Sequence, residues 1–290
     1  MKLAFSTVAC PDWTLERVAS AAREGGYLGV ELRTFGYGST SSACDPALTS
    51  PAKVQGVLRG AGVELACVSS SCRFDAMVTP PVIGWVIGDP EASVREGREV
   101  VELAHGLRCG MVRVFGFEYP ARERRARAID RIAGRIWKVA DIARARQVRL
   151  VVENGGSFTS AAGLLELLDA VDHPSVGAAY TFAAGALAGD TPYAAVNALG
   201  DRLMLAKLKD YRGGVPCALG DGENDAETAV RALASSGYTG WVSYEFDRAW
   251  VPGAGEHGAG DLGEVLARSA ERVYGWSASS RGGAGLAWSA

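Results

Sequence analysis

The sequence has little of what several classes of protein need. It contains only three histidines, and its six cysteines form no CxxC pair, so neither a disulfide scaffold nor a zinc finger is expected. No window approaches the roughly 18 consecutive apolar residues of a membrane span. Thirty basic residues face thirty-three acidic ones, which gives no electrostatic reason to expect nucleic acid or an anionic membrane as a partner. The first residues also lack the apolar stretch of a signal peptide, and we expect a cytoplasmic protein with buried thiols.

Short apolar or β-branched runs alternate with longer helical patterns along the chain. The predicted strands are Leu3–Ser6, Gly29–Leu32, Glu64–Val68, Met111–Phe115, Val148–Glu153, Val176–Ala179, Met204–Leu208 and Trp241–Glu245. The predicted helices are Leu15–Glu24, Pro51–Gly60, Pro90–Gly106, Ala121–Arg146, Ser160–Val171, Tyr193–Leu199, Ala226–Ser236 and Asp261–Tyr274. Strict alternation of this kind requires parallel strands joined by crossover helices.

Eight β-α repeats in about 275 residues predict a single (β/α)₈ barrel, here residues 1–276. A doubly wound open sheet is the alternative, weakened because neither GxGxxG nor a P-loop follows the first strand. Residues 277–290, rich in glycine and serine, predict a flexible tail. The segment Phe35–Ser50, rich in Gly, Ser and Thr, predicts a long loop at the barrel mouth that serves as a lid.

Polar residues at the carboxyl ends of barrel strands face the mouth, where the active sites of such barrels lie. Glu153 and Glu245 each close an apolar run, where a carboxylate is partly desolvated and needs a cationic partner. Other candidates at or near predicted strand ends are Glu31, Arg33, Arg113, Tyr180, Thr181, Lys207, Lys209, Arg248 and Trp250.

Five segments in register give the chain a resemblance to a known family. They are Gly29–Arg33, Val112–Gly116, Val152–Asn154, Leu208–Asp210 and Gly240–Trp250. With these segments the chain resembles the sugar phosphate isomerase/epimerase family, the xylose-isomerase-like barrels, from Met1 to about Tyr274. The resemblance implies a small polar carbonyl or hydroxylated substrate. It also implies one divalent metal, held by Glu, Asp, His and Glu from strands five to eight.

Carried over residue by residue, this ligand set is incomplete. Glu153 and Glu245 match the two family glutamates, but the aspartate falls on Thr181 and the histidine of the seventh strand falls on Lys207. Two carboxylates, a threonine and a protonated lysine make a poor cation site. We therefore expect no metal and place Lys207 where the metal would be, with Glu153, Lys207 and Glu245 as the catalytic residues. The expected substrate-binding residues are Glu31, Arg33, Arg113, Tyr180, Lys209, Arg248 and Trp250.

The expected function is that of an isomerase/epimerase- or lyase-like enzyme on a small molecule. The neighbouring glutamates should hold up the pKa of Lys207, which favours a charged role over Schiff-base chemistry. One alternative is a metal-dependent epimerase in which Thr181, Asp210 or water completes the shell around a metal at Glu153 and Glu245. Others are a non-catalytic metabolite-binding barrel and a buried ion cluster left in a pseudoenzyme. A homodimer is compatible with the common symmetry of soluble oligomers.

Overall fold

A computed structural model describes residues 1–35, 43–77, 89, 91–251 and 261–282. Eight parallel strands form the barrel: β1 (Lys2–Ser6), β2 (Gly29–Arg33), β3 (Glu64–Arg73), β4 (Met111–Phe115), β5 (Arg149–Glu153), β6 (Val176–Thr181), β7 (Leu203–Leu208) and β10 (Trp241–Tyr244). They close in the order β1-β10-β7-β6-β5-β4-β3-β2, and the closed sheet rules out the open doubly wound alternative. A small antiparallel hairpin, β8 (Tyr211–Arg212) and β9 (Val215–Pro216), follows β7. The predicted (β/α)₈ architecture is confirmed.

Helices cover the outside of the barrel between successive strands. Their bounds are α1 (Leu15–Glu24), α2 (Pro51–Ala61), α3 (Ala92–Gly106), α4 (Arg125–Ala145), α5 (Ala161–Val171), α6 (Phe182–Leu187), α7 (Pro192–Leu199), α8 (Ala226–Ser235) and α9 (Leu262–Gly282). Local sequence explains the ends of α2. The Ser50 side chain accepts the Lys53 N–H before the first turn, and Gly62 stops the helix at φ 71°, a conformation that glycine adopts without penalty. None of the helices within the described ranges is long and apolar enough to cross a membrane.

Several features differ from the sequence prediction. The short helix α6 and the β8–β9 hairpin were not predicted. Helix α9 continues to Gly282, past the predicted end at Tyr274, so it includes residues 277–282 that the sequence places in the tail. The Ser277 and Ser279 hydroxyls donate to the carbonyls of Tyr274 and Gly275 within this helix. Residues 283–290 and 36–42, the latter in the predicted lid, lie outside the described residues.

The barrel interior contains an apolar layer, and the inward-facing residues closer to the carboxyl ends of the strands lie above it. Cys67, Val151, Ala179 and Leu205 come from β3, β5, β6 and β7 and form a small buried cluster separate from the main core. The main core contains the alternate residues of the same strands, such as Val152, which face the helices. Because side chains alternate along a strand, the next inward position on each strand lies two residues further on.

Candidate functional site

The inward positions two residues beyond the apolar layer are all polar. They are Ser69, Glu153, Thr181 and Lys207, and all four are buried. Thr181 pairs with Lys207 in the β6–β7 register. A layer of polar side chains therefore rests directly on the apolar layer, at the carboxyl ends of the strands where barrel enzymes place their chemistry.

Lys207 lies at the centre of a buried ion cluster. Its Nζ is 3.1 Å from Glu31 Oε1, 2.9 Å from Glu153 Oε2 and 2.5 Å from Glu245 Oε1. The side chains of Lys207 and Glu31 are 0% exposed. We call these four residues the Lys207 cluster. A buried ammonium is tolerated when opposite charges surround it, and here three carboxylates do so.

Hydroxyl groups complete the lower side of the cluster. The Thr181 hydroxyl donates to Glu153 Oε1 at 2.8 Å, and the Ser69 hydroxyl donates to Glu31 Oε1. Asn154 accepts the Thr181 backbone N–H at 2.7 Å, which fixes the strand end that carries this threonine. Both inner carboxylates are thus held by a cation and a hydroxyl, which restricts their movement.

Two further cations bind the same glutamates from the cavity side. Arg113 Nε lies 2.9 Å from Glu153 Oε2, but its N–H is not aligned with an acceptor, so the contact is an ion pair rather than a hydrogen bond. Lys209 Nζ lies 2.8 Å from Glu245 Oε2 and 3.1 Å from Asp247 Oδ2. Each glutamate is therefore shared between Lys207 below and a second cation above.

These contacts govern the charge states of the site. Burial raises the pKa of Glu153 and of Glu245, but the lysine and arginine charges outweigh it, so both pKa values are lowered, that of Glu245 well below its usual range. Burial lowers the pKa of Lys207, but the glutamate charges outweigh it and raise the net value. The pKa of Lys209 is raised well above its usual value by Glu245 and Asp247, against the effect of burial. All four groups are charged at neutral pH.

A cavity of 340 Å³ opens above the Lys207 cluster. Its residues come from the ends of β2, β4, β5, β7 and β10 and from the loops after β1, β2 and β10: Val8, Arg33, Phe35, Arg113, Phe115, Glu153, Lys209, Glu245, Asp247 and Trp250. Phe35 and Trp250 stack with ring centroids 5.4 Å apart. The Trp250 indole N–H donates to the Val8 carbonyl at 2.8 Å. Lys207 and Glu31 lie beneath the cavity floor rather than in its wall.

The structure brings most of the predicted site residues together and leaves two elsewhere. Tyr180 lines a separate cavity of 50 Å³, and its hydroxyl donates to Asp190 at 2.6 Å. The reason is alternation: β6 continues to Thr181, which faces inward, so its neighbour Tyr180 faces outward. Arg248 lines a different cavity, of 290 Å³, together with Arg212 and Arg268.

Sequence reasoning missed Asp247, Phe35 and the position of Glu31 inside the cluster. Asp247 lies two residues after Glu245, the same alternation that places Lys209 after Lys207, and this spacing would have revealed it. The stacking of Phe35 on Trp250 joins loops more than two hundred residues apart, and local sequence carries no signal for such a contact.

The donor set does not fit the divalent metal that the resemblance implies. The Lys207 ammonium lies among the carboxylates that would bind such an ion, and a cation there repels a second one. The Thr181 hydroxyl is already donated to Glu153. Within the described part of the chain, no group of three His, Cys, Asp or Glu side chains is arranged to hold a metal.

Asp210, which the metal-dependent alternative offers as a metal ligand, binds backbone groups instead. Its carboxylate accepts backbone N–H groups from Tyr211, Gly220, Gly222 and Asn224 at 2.7–3.0 Å. A carboxylate that receives four backbone donors is occupied in fixing the loop after β7. It is not directed at the Lys207 cluster.

Comparison with known proteins places this barrel among its relatives. The family model described as the xylose isomerase-like TIM barrel matches residues 19–269. A search of curated protein sequences returns no significant match. Among solved structures, an L-ribulose 3-epimerase superposes with a TM-score of 0.79 at 14% identity, covering 98% of this chain and 96% of that one.

Two other solved structures superpose with slightly lower TM-scores. The IolI protein with a bound zinc atom gives a TM-score of 0.75 at 14% identity, over 96% of this chain and 99% of that chain. A D-allulose 3-epimerase from Methylomonas sp. gives 0.75 at 17% identity, over 95% and 98%. At such low identity these similarities establish a shared fold, and function has to be argued from the site.

Proposed function

The chain belongs to the xylose isomerase-like TIM barrel family, and from that premise we propose that it is an isomerase/epimerase- or lyase-like enzyme that works without a divalent metal. Its substrate is a small metabolite with a carbonyl next to a carbon that carries hydrogen. The fold similarity to sugar 3-epimerases supports this reaction class, since epimerisation next to a carbonyl begins with removal of such a hydrogen.

The observation that carries the proposal is the position of Lys207. One ammonium within 3.1 Å of three carboxylates supplies the positive charge around which the family's ligands would gather. Because Lys207 lies beneath the cavity floor, we assign it a positioning role: it holds Glu153 and Glu245 in place. The catalytic residues are then the groups that face the cavity.

Those groups divide naturally into a base and an oxyanion site. Glu153 Oε1 contacts a neutral hydroxyl, whereas each oxygen of Glu245 lies within 2.8 Å of a lysine ammonium, so Glu153 is the better proton acceptor of the two. It takes the proton from the carbon next to the carbonyl, and the C–H electron pair moves to the carbonyl oxygen. Lys209 and Arg113, both charged and both lining the cavity, stabilise the enolate oxygen. Return of the proton from Glu153 to the neighbouring carbon, with the hydroxyl proton passing to the enolate oxygen, gives an isomer. An epimer forms when water delivers a proton to the opposite face and Glu153 releases its own proton to solvent.

Deuterium exchange tests this function before the natural substrate is known. The full chain, treated with EDTA, is incubated in D₂O with a panel of ketoses and 2-oxo acids, and exchange next to the carbonyl is followed by NMR. We expect exchange with at least one compound, unaffected by EDTA and reduced about a hundredfold or more in Glu153→Gln. Glu16→Gln, which alters an exposed residue of α1, is the matched control and should exchange like the wild type.

The same experiment separates the alternatives. Exchange that EDTA abolishes and Mn²⁺ restores would overturn the metal-free proposal in favour of a metal-dependent epimerase. A thermal melt with the same compounds completes the comparison. Compounds that raise the unfolding temperature but do not exchange deuterium would instead favour a non-catalytic metabolite-binding barrel.

A further inference from the structure

Arg33 differs from the other cations of the cavity in the partners it has. Arg113 contacts Glu153, and Lys209 contacts Glu245 and Asp247. Across the described ranges, Arg33 has no carboxylate within ion-pair distance. Its guanidinium donates instead to neutral groups, the Ser70 carbonyl at 2.9 Å and the Ser71 hydroxyl at 3.2 Å.

Two guanidinium groups meet at one carbonyl oxygen. Arg33 Nη1 lies 2.9 Å and Arg113 Nη1 lies 2.7 Å from the Ser70 oxygen. Both side chains line the 340 Å³ cavity. Burial, followed by the charge of Arg113, lowers the pKa of Arg33 to about 10, so Arg33 stays charged at neutral pH while its charged form is disfavoured. A pair of adjoining cations in a partly dry wall is relieved by an anion placed against them.

The charged groups around the cavity are equal in number but unevenly paired. Glu31, Glu153, Glu245 and Asp247 face the cations Arg33, Arg113, Lys207 and Lys209, so the totals balance. The carboxylates, however, all contact Lys207, Arg113 or Lys209. Although the charges are equal in number, the region around Arg33 is positive, because no carboxylate of the described residues lies within ion-pair distance of it.

We propose that Arg33, assisted by Arg113, binds an oxyanion of the ligand, a carboxylate or a phosphate, so that this barrel acts on a small organic anion rather than a neutral sugar. The inference rests on the proposed function only in that it calls the ligand a substrate. Arginine presents paired N–H donors that match such oxyanions. At 340 Å³ the cavity is near the lower end for small-molecule sites, which suits a compact metabolite with one anionic end.

Binding of simple anions tests the inference without any turnover. The EDTA-treated full chain is titrated calorimetrically at low salt with malonate, with inorganic phosphate and with glycerol as the neutral probe. We expect at least one of the two anions to bind more tightly than glycerol, and the stronger of the two identifies the oxyanion. In Arg33→Met the affinity for that anion should fall about tenfold or more.

Two further variants serve as controls, one for folding and one for the loss of an arginine charge elsewhere on the protein. Arg33→Lys keeps the charge and should retain part of the affinity, which excludes a mere loss of folding. Arg98→Met removes an exposed arginine of α3 and should bind like the wild type. The inference is overturned if neither anion binds better than glycerol, or if Arg33→Met binds as tightly as the wild type.

Failure of this inference is distinguishable from failure of the proposed function. If neutral ketoses exchange deuterium at wild-type rates in Arg33→Met and no anion binds, the function stands and the anion site is refuted. If an anion binds through Arg33 but no compound exchanges, the anion site stands and the enzymatic proposal fails.

Discussion

Two adjacent layers inside the barrel are built from the same strands and differ in almost every physical respect. The lower layer, Cys67, Val151, Ala179 and Leu205, is apolar and buried. The upper layer begins two residues further along each strand and carries Ser69, Glu153, Thr181 and Lys207. The lower layer needs only volume and shape to be stable. The upper layer needs every charge to have a partner, because removing one leaves the others uncompensated in a low dielectric.

This difference separates the residues that maintain the barrel from those that serve a reaction. An apolar layer stabilises a barrel whatever the barrel does. A buried lysine among three glutamates gives little net stability for the desolvation it requires, since an apolar replacement of the whole group is often as stable. The charged layer is therefore best explained by its role beneath the cavity, and the predictions below probe where the two layers respond differently.

The largest expected effect comes from removing the central charge while keeping its volume. Lys207→Met leaves Glu31, Glu153 and Glu245 as close like charges, and the free energy of unfolding should fall by about 3–5 kcal/mol at pH 7. Leu205→Ala, the comparison in the apolar layer, should cost about 2–5 kcal/mol through the cavity it creates. Urea denaturation followed by circular dichroism measures both. A loss below about 1 kcal/mol for Lys207→Met would show that water already screens the cluster.

The losses of stability caused by Lys207→Met and by Leu205→Ala should differ more clearly in their dependence on pH than in their magnitude at pH 7. In wild type the carboxylates of Glu153 and Glu245 have lowered pKa values, so their stabilisation is present above the unfolded value of about 4.3 and is lost as pH falls through the folded values. Without Lys207 the glutamate pKa values rise, and protonation at low pH relieves the repulsion. The loss caused by Lys207→Met should therefore shrink by about 1–2 kcal/mol between pH 7 and pH 4.5. The loss caused by Leu205→Ala should stay constant, and a parallel fall in both would contradict this account.

A smaller effect is expected from the hydroxyl that supports Glu153. Thr181→Val removes the 2.8 Å hydrogen bond to Oε1 with little change in shape, and should lower the free energy of unfolding by about 1.5 kcal/mol. Val151→Thr, the reverse exchange in the apolar layer on the neighbouring strand β5, should also destabilise, because it buries a hydroxyl without a hydrogen-bond partner. If Thr181→Val were neutral, the hydrogen bond would not be holding Glu153.

Most of the fold could be predicted from the sequence because hydrophobic periodicity is a local signal. The predicted strand Met111–Phe115 and helix Leu15–Glu24 agree with the structure residue by residue, and the family resemblance is confirmed by the match over residues 19–269. The short α6 and the hairpin after β7 carry no periodic pattern long enough to detect. The serine-rich end of α9 has the composition of a tail, so composition alone did not predict that the helix continues to Gly282.

Strand alternation made part of the candidate site predictable from the sequence. The contacts that span the barrel could not be predicted, because they depend on distances between strands that are far apart in sequence. Alternation identifies Glu153 and Lys207 as inward residues, and the same rule explains why Tyr180 faces outward. Glu31 contacts Lys207 across the barrel, from β2 to β7, a proximity that depends on barrel diameter and side-chain length. The sequence therefore predicted two carboxylates around one lysine, whereas in the structure Glu31 joins this cluster and Arg113 and Lys209 contact its glutamates from the cavity side.

The central claim is that the Lys207 ammonium stands where a divalent metal would be, and a metal titration tests it most directly. The wild-type chain, stripped with EDTA and dialysed, is titrated with Mn²⁺ by calorimetry, alongside a Glu153→Gln/Glu245→Gln variant. The account predicts that wild type binds no stoichiometric Mn²⁺ and that its trace matches the double variant. One Mn²⁺ bound per chain in wild type and lost in the double variant would contradict it.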